Sequence, residues 1–299
     1  MVNDGSPDNS LSICCQYAEK DKRVRVINKP NGGSTSSRKA GAKIAKGEYV
    51  ICVDSDDYIE QGYFTCVARS LDEFNPDIVI LSHYSLEDNK KILHKDFVVQ
   101  GLLQDKEYEE VRDKFIYDPT DKNISNPGII SYSLWCKVVR REIYVKAQEL
   151  IDDKIVIGED MLCSLYCLQF AKSMICLNDS FYVYRILNNS MMHSYNVKKF
   201  EHFENTVKAL VESDIVDDHR ICAYSFHALC NEYAGIAESV NSISEFRDKI
   251  KETQKFKLLY DMASRVDKSN CNLASRFKIW LVNNKKYDLM FWLLKSKNR

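Results

Sequence analysis

Short apolar runs rich in β-branched residues alternate with helical stretches along the first half of the chain. The runs at 23–27, 49–53 and 77–82 predict strands. Small and basic residues recur at helical spacing over 33–46, and Gly47 suits the position just past the end of a helix. Strands that alternate with helices in this way predict an α/β fold with a mainly parallel sheet.

The pattern changes in the second half of the chain. A strand or helix is predicted over 131–146, a strand over 155–157 that runs directly into Gly158-Glu159-Asp160, and a further strand over 181–185. From about residue 198 onward the apolar spacing is helical throughout. The elements therefore separate into a mixed first part and an all-helical last part.

Two domains follow from this change, an α/β domain over 1–195 and a helical C-terminal region over 196–299. The last stretch, 276–299, combines tryptophans and leucines with several lysines and a single acidic residue, Asp288. Such a basic amphipathic end could bind an anionic surface at the inner face of the cell membrane. A terminal helix that packs on the protein and keeps its lysines in water is the alternative.

The composition is that of a folded soluble protein, with 45% hydrophobic and 28% charged residues. The 42 basic and 43 acidic side chains leave almost no net charge, so the composition does not indicate a surface for nucleic acid. Nucleic acid is therefore not an expected partner. The eleven cysteines lie in apolar stretches and predict reduced core residues. The sequence contains no apolar run of bilayer length and no signal-peptide pattern, which predicts the cytoplasm.

The sharpest chemical signal is an apolar strand that ends in three carboxylates, those of Asp54, Asp56 and Asp57. Like charges crowded at a strand end repel one another unless a cation joins them. Mg²⁺ and Mn²⁺ prefer a few carboxylate oxygens and fill their remaining positions with water and substrate phosphate. The cluster therefore predicts a metal-diphosphate site, and a solvated acidic turn that caps the following helix is the alternative.

A glycine turn precedes this cluster by one strand. Asn31, Gly32 and Gly33 open the predicted helix, where free backbone amides and the helix dipole can receive an anion. Arg38 lies one turn further along and could fork onto a phosphate or a base edge. Taken alone, these residues are also typical of an ordinary turn.

Glu159 and Asp160 supply a second carboxylate pair, at what the pattern predicts to be another strand end. A group transfer to a hydroxyl needs one base to take the hydroxyl proton. The two carboxylate sites would then have two tasks, because one would hold a metal at a departing diphosphate and the other would activate the acceptor. A simple cap at the start of a helix is the alternative for this pair.

Several segments together resemble a family 2 glycosyltransferase in their order and spacing. They are Val2-Asn3-Asp4-Gly5-Ser6, Asn31-Gly32-Gly33 with Arg38 and Gly41, Lys46-Gly47-Glu48-Tyr49, Asp54-Ser55-Asp56-Asp57 and Gly158-Glu159-Asp160. The resemblance is specific to about residue 90, looser to about 195 and absent afterwards. It implies a Rossmann-like fold of the glycosyltransferase A type and inversion at the anomeric carbon.

The resemblance also implies roles for individual residues. Asp4 would bind the nucleotide base, Asp54 the ribose side and Asp56 the metal. Asp160 would be the general base, with Glu159 beside it.

Three later residues resemble further functional positions of related bacterial enzymes. Trp135 and Lys137 resemble a segment that lines the acceptor side, although a tryptophan in an apolar run is also typical of a core. His193 could add a metal ligand, although a lone histidine is commonly structural.

The start of the chain departs from the family pattern. Related enzymes have a strand, a helix and most of a second strand before the segment that corresponds to Asn3-Asp4-Gly5-Ser6. That first strand normally lies in the middle of the sheet, so an N-terminally truncated fold with open sheet edges is expected. We expect either a translation start upstream or a broken gene. Ser37-Arg38-Lys39 also replaces the usual Ala-Arg-Asn.

The sequence thus predicts transfer of a sugar from a nucleoside-diphosphate sugar, preferentially uridine-linked, to a hydroxyl of a polysaccharide or lipid-linked acceptor, assisted by Mn²⁺ or Mg²⁺. One alternative is a catalytically inactive remnant that acts as a binding or scaffold module. Another is a metal-dependent nucleotidyltransferase. Asp54, Asp56 and Asp160 favour the active enzyme over the remnant, and Gly158-Glu159-Asp160 favours sugar transfer over nucleotidyl transfer.

Overall fold

A computed structural model describes residues 1–118, 121–123, 128–186 and 195–297 of the chain. Its strands are β1 (Val2–Asp4), β2 (Ile27–Lys29), β3 (Tyr49–Ile51), β4 (Tyr58–Ile59), β5 (Ile78–Glu87), β6 (Lys90–His94), β7 (Gly101–Gln104), β8 (Lys137–Arg140) and β9 (Ser173–Arg185). Its helices are α1 (Ser10–Lys20), α2 (Gly33–Ile44), α3 (Tyr63–Phe74), α4 (Asp105–Asp113), α5 (Arg141–Glu149), α6 (Glu159–Phe170), α7 (Lys198–Ser213), α8 (Asp218–Ser239), α9 (Ile243–Thr253), α10 (Lys257–Ser264), α11 (Leu273–Asn283) and α12 (Tyr287–Lys297).

The strands of the described residues form two sheets. β1 pairs in parallel with β2, with Val2 opposite Ile27. The larger sheet has the order β3-β8-β5-β9-β4, with β6 beside β5 and β7 beside β9. β8 runs antiparallel to both β3 and β5, so β3 and β5 point in the same direction, and the β4–β9 and β7–β9 pairs are also antiparallel. The predicted α/β class with a helical C-terminal region is confirmed, with a mixed sheet.

Most predicted elements are present, and two predicted strands need correction. The N-terminal half of the predicted strand 23–27 is a turn, since the Val24 N–H donates to the Asp21 carbonyl at 2.9 Å, and pairing begins only at Ile27. The predicted strand at 155–157 is wrong. The Ile155 N–H donates to the Asp152 carbonyl at 3.0 Å, so this segment is a turn that leads into α6.

The core around the larger sheet is built by one face of α3 and the central strands. Tyr63 and Val67 of α3 pack against Val79 and Leu81 of β5 and against Val138 of β8. Burial of such side chains contributes about 1.5–3 kcal/mol each. Because β3 also packs on this cluster, the core fixes the strand from whose end the acidic residues project.

The chain divides into two compact units. The first comprises Met1–Tyr84, Ile92–Tyr108 and Tyr132–Tyr184, and the second comprises Ser85–Lys91, Glu109–Ser131 and Arg185–Arg299. Each unit combines three separate ranges of the chain, so the two units do not correspond to the predicted domains 1–195 and 196–299. The predicted domain boundary stays a prediction. Every predicted site residue except His193 belongs to the first unit.

The second unit is dominated by α7 to α12. Helix α8 buries Phe226, Leu229 and Tyr233 among its neighbours, so its apolar face supplies much of this core. Helix starts are capped as the sequence allows, since the Ser242 Oγ accepts from the Glu245 N–H at 3.2 Å and the Glu245 carboxylate accepts from the Asn241 N–H at 3.0 Å. Among the described residues, no helix is long and apolar enough to cross a membrane.

Candidate active site

The Asp4 carboxylate connects the end of β1 to the start of α2 by hydrogen bonds. Its Oδ2 accepts from the Gly33 N–H at 2.7 Å, and its two oxygens accept from the Gly32 N–H at 3.0 and 3.1 Å. Lys29, at the end of β2, forms an ion pair with the same carboxylate. Burial raises the pKa of Asp4, but the Lys29 ammonium and the two amides outweigh it and lower the pKa overall.

The positive end of α2 therefore holds an anion that belongs to the protein. We predicted that the amides of Gly32 and Gly33 receive a substrate anion, and the structure gives this place to the Asp4 carboxylate instead. Asn31, just before them, is exposed. Gly5 has a φ of 71°, and a Cβ there would lie 2.8 Å from the Asn31 backbone nitrogen, so the close approach of β1 to this turn requires glycine.

Arg38 is the centre of a carboxylate cluster. Its Nη1 contacts Asp160 Oδ1 and lies 3.4 Å from Glu159 Oε1, while its Nη2 lies 3.3 Å from Asp54 Oδ1. The Arg38 side chain is only 14% exposed. One guanidinium thus joins the two carboxylate sites that the sequence places more than a hundred positions apart.

Burial and neighbouring charges act in opposite directions on the pKa values of this cluster. Burial lowers the pKa of Arg38, but Asp160 and the other carboxylates more than compensate and raise it well above its ordinary value. Burial raises the pKa of Glu159, with a further rise from Asp160, against the opposing effects of Ser34 and Arg38. Burial likewise raises the pKa of Asp54, although Arg38 opposes this. For both Glu159 and Asp54, Arg38 thus opposes the rise in pKa that burial causes.

Side chains along α2 hold the 151–160 segment against the helix. The Ser34 hydroxyl donates to Glu159 Oε1 at 2.8 Å, and the buried Thr35 hydroxyl donates to the Ile155 carbonyl at 3.0 Å. One turn later, the Lys39 ammonium donates to the Ile151 carbonyl and pairs with a nearby carboxylate. Glu159 and Asp160 are consequently placed at the start of α6, in its first turn after Gly158, rather than at a strand end.

The acidic loop after β3 is held from β9. The Tyr182 hydroxyl accepts from the Asp54 N–H at 3.1 Å and donates to Asp57 Oδ2 at 2.7 Å. Asp56, between them, is exposed. Helix α3 begins only at Tyr63, after Gly62, so this cluster does not cap that helix, as the alternative interpretation required.

Trp135 lies in the same region, with 7% of its surface exposed. Its ring stacks on that of Tyr182 with centroids 4.7 Å apart and an interplanar angle of 13°, and on that of Tyr184 at 5.8 Å and 14°. The ring of His83 meets it edge-on at 4.5 Å. Trp135 is thus a core side chain that borders the acidic loop through Tyr182.

Lys137 is buried in β8, with 1% of its surface exposed. Its ammonium donates to the Ser133 carbonyl at 2.7 Å. The ammonium thus holds the 133–137 turn, and a role of Lys137 on the acceptor side stays a prediction. His193 lies outside the described residues.

Comparison with known proteins identifies the family. The model of the family described as Glycosyl transferase family 2 matches residues 1–146. Residues 1–146 of the chain belong to glycosyltransferase family 2. An uncharacterized glycosyltransferase of Bacillus subtilis, EpsJ, is 30% identical over 213 residues, which cover 71% of this chain and 59% of EpsJ. Chondroitin synthase of Pasteurella multocida is 22% identical over 278 residues, covering 84% of this chain and 28% of the synthase.

A solved structure extends the comparison to the fold. The crystal structure of S. aureus TarS 1–349 in complex with UDP has a TM-score of 0.65 and 20% identity, and the match covers 99% of this chain and 80% of that one. TarS 1–349 in complex with UDP-GlcNAc gives the same TM-score at 19% identity. The glycosyltransferase A type of fold is confirmed. The chain spans 59% of EpsJ and less of the chondroitin synthase, so it corresponds to part of each relative.

A metal site in this chain requires side chains that can coordinate Mg²⁺ or Mn²⁺. The described residues contain no group of three or more His, Cys, Asp or Glu side chains arranged to hold a metal ion. Mg²⁺ and Mn²⁺ commonly bind through one or two carboxylates plus substrate phosphates, so a protein cage is unnecessary. The exposed carboxylate of Asp56 fits that mode of binding, with the diphosphate as the other partner.

Three site residues escaped the sequence analysis, namely Lys29, Ser34 and Tyr182. Lys29 ends a strand parallel to the one that ends in Asp4, and this register is known only from the structure. Tyr182 alternates with Tyr184 in β9, which indicates that both rings lie on one face. The sequence gives no indication that this face meets the acidic loop.

Proposed function

We propose that this chain transfers a sugar from a uridine-diphosphate sugar to a hydroxyl of a polysaccharide or lipid-linked acceptor, with inversion at the anomeric carbon. The observation that carries the proposal is the convergence of Asp54 and Asp160 on Arg38, which brings the acidic loop next to the start of α6. The UDP and UDP-GlcNAc complexes of TarS support a uridine-linked donor. The name of the chondroitin synthase supports a polysaccharide acceptor.

In the proposed reaction, the acceptor oxygen bonds to the anomeric carbon while the bond from that carbon to the diphosphate oxygen breaks. The diphosphate leaves with the electron pair, and the acceptor proton passes to Asp160. Asp160 is oriented for this by the Leu134 N–H, which donates to its Oδ2 at 3.2 Å, and by Arg38 at its other oxygen. Glu159 lies beside it and binds Arg38 and Ser34.

The acidic loop and the start of α2 would bind the sugar-nucleotide donor, with different residues for its diphosphate and its nucleoside. Asp56 would bind Mn²⁺ or Mg²⁺, and the metal, when bound, would neutralise charge that develops on the leaving diphosphate. Asp4, Asn31 and Asp54 would form the nucleoside side. The Gly32–Gly33 turn and Arg38 would shape this side indirectly, because both are already bonded to carboxylates of the protein.

The first test is calorimetric titration of UDP into the chain, with and without Mn²⁺. Asp56→Ala should abolish the metal-dependent part of binding, because it removes the proposed metal ligand. Asp72→Ala is the matched control, since Asp72 is also an exposed aspartate but lies on α3. Absence of Mn²⁺-dependent UDP binding by the folded wild-type chain would contradict the proposal and support the inactive remnant.

The second test uses a donor labelled separately in sugar and nucleotide. Asp160→Asn should retain UDP binding but lose transfer by a factor of about 10²–10⁴, the usual contribution of a general base. Transfer of the labelled nucleotide instead of the sugar would identify a nucleotidyltransferase.

We also propose that the C-terminal helices contact an anionic membrane surface. On α11, Leu273, Phe277 and Trp280 share one helix face and are 83%, 46% and 44% exposed. The Phe277 and Trp280 rings stack with centroids 6.0 Å apart. Lys285 and Lys286 follow directly and are exposed, so charge and apolar surface combine as a lipid interface requires.

This membrane contact is tested by flotation with vesicles. The chain should float with phosphatidylglycerol vesicles more than with phosphatidylcholine vesicles, and the double substitution Phe277→Ser with Trp280→Ser should reduce flotation. Phe64→Ser is the control, because Phe64 is 63% exposed on α3 and outside the proposed surface. Equal flotation of the wild type and the double variant would refute the proposed contact.

A further inference from the structure

The Tyr182 hydroxyl closes the acidic loop by two hydrogen bonds. It accepts from the Asp54 backbone N–H at 3.1 Å and donates to Asp57 Oδ2 at 2.7 Å. A phenol hydroxyl has one donor and two acceptor positions, so it can make both bonds at once. Asp56 lies between the two bonded residues in the chain. The backbone that carries Asp56 is therefore held on both sides by a side chain from β9.

The ring of Tyr182 is itself fixed by packing. Only 1% of Tyr182 is exposed, and its ring stacks on Trp135 with centroids 4.7 Å apart. Tyr184 stacks on the same indole at 5.8 Å. A ring held in a close-packed stack has little freedom to change its rotamer, so the hydroxyl has a defined position.

The residue before Trp135 contacts the other carboxylate site. The Leu134 N–H donates to Asp160 Oδ2 at 3.2 Å. Two consecutive residues thus connect to the two halves of the site, Leu134 directly through its backbone amide and Trp135 through the ring of Tyr182. The Lys137 ammonium holds the same turn by its bond to the Ser133 carbonyl at 2.7 Å.

We propose that Tyr182 is a positioning residue that sets the geometry of the acidic loop for metal-diphosphate binding, and that Trp135 connects this loop to the segment that orients Asp160. The proposal rests on the proposed function, since the metal and the diphosphate belong to that reaction. It assigns a role to two aromatic residues that act through their contacts within the protein.

The test is Tyr182→Phe, which keeps the stacked ring and removes only the hydroxyl. Tyr49→Phe is the matched control, because the Tyr49 hydroxyl donates to the Pro76 carbonyl at 2.8 Å, at the opposite end of β3 from the acidic loop. Both variants lose a tyrosine hydroxyl, but only Tyr182→Phe removes bonds to the acidic loop. Hydrogen–deuterium exchange of the peptide 52–58 should become faster in Tyr182→Phe and stay unchanged in Tyr49→Phe.

Binding provides the second measurement. In Tyr182→Phe, the affinity for UDP in the presence of Mn²⁺ should fall roughly tenfold, the order of one or two lost hydrogen bonds, while binding without the metal changes little. Asp57→Ala combined with Tyr182→Phe should weaken binding by less than the product of the single effects, because both changes remove the bond between these two side chains. Unchanged exchange of 52–58 in Tyr182→Phe would overturn the proposal.

The two measurements separate failure of this inference from failure of the proposed function. If the wild type shows no Mn²⁺-dependent UDP binding, the proposed function fails, and exchange of 52–58 still decides whether Tyr182 holds the loop. If the wild type binds and Tyr182→Phe binds equally well, the proposed function survives and the positioning role is refuted.

Discussion

Replacement of Arg38 by alanine tests the central feature of the site, a single guanidinium among three carboxylates. Removal of Arg38 leaves Asp54, Glu159 and Asp160 close together without their shared cation. Breaking a buried ion pair costs about 3–5 kcal/mol, because an uncompensated charge stays in the interior. The carboxylate side chains are 16–35% exposed, so solvent screening reduces this loss to about 2–3 kcal/mol at about pH 7.5.

The loss should depend on pH in a defined direction. Burial already raises the pKa of Glu159, and removal of Arg38 raises it further. Above the ordinary carboxylate pKa, the folded variant therefore binds more protons than its unfolded chain, and its stability falls as pH rises. The difference between wild type and variant should therefore be larger at neutral pH and shrink as pH falls, because protonation of Glu159 and Asp54 removes the uncompensated charge.

Urea unfolding followed by circular dichroism at several pH values measures this difference. Lys39→Ala is the matched control, because Lys39 is the next residue of α2 and pairs with Asp153, which is 57% exposed. An exposed pair of this kind contributes about 0–1 kcal/mol, and the Lys39 bond to the Ile151 carbonyl contributes about 1 kcal/mol more. If Arg38→Ala costs no more than Lys39→Ala, or if its cost does not change with pH, the cluster is not held by charge.

Three further predictions concern stability and local order. Asp4→Asn should lower the free energy of unfolding by about 1 kcal/mol at neutral pH. Because the pKa of Asp4 is lowered in the folded state, its contribution to stability is lost as pH falls. Urea unfolding should therefore show a smaller difference between wild type and variant in acid. Gly5→Ala should cost about 1–2 kcal/mol in thermal unfolding, because φ is 71° and the new Cβ would meet Asn31. Lys137→Met should change stability by less than about 1.5 kcal/mol while hydrogen exchange of 131–137 accelerates, because an apolar side chain replaces the buried ammonium but cannot bond to Ser133.

Much of the local structure follows from patterns within short windows of the sequence. Helix α2 begins at the predicted Gly33 and ends two residues before the predicted end at 46. Helix boundaries follow from capping and turn residues within a few positions, so sequence reasoning reaches them. The strand predicted at 155–157 failed because a short apolar run is compatible with a buried turn as well as with a strand, and pairing partners decide between them.

The chemistry-bearing residues themselves were also accessible from the sequence. Asp4, Asp54, Glu159 and Asp160 all lie in the first unit, and three of them meet at Arg38. Residue type and spacing suffice to select them, because carboxylates at element ends must find cations or water. Their family follows from the same segments.

The arrangement of these residues, by contrast, was decided by tertiary structure. Because α2 packs on the 151–160 segment, Arg38 forms ion pairs with three carboxylates of the protein instead of binding a phosphate. Because β1 ends beside the start of α2, the Asp4 carboxylate binds the free amides at the positive end of that helix. The bonds of Tyr182 to the acidic loop join residues 125 to 128 positions apart. The sequence by itself determines which groups are charged or polar, whereas which of them neutralise one another depends on distances that only the folded chain defines.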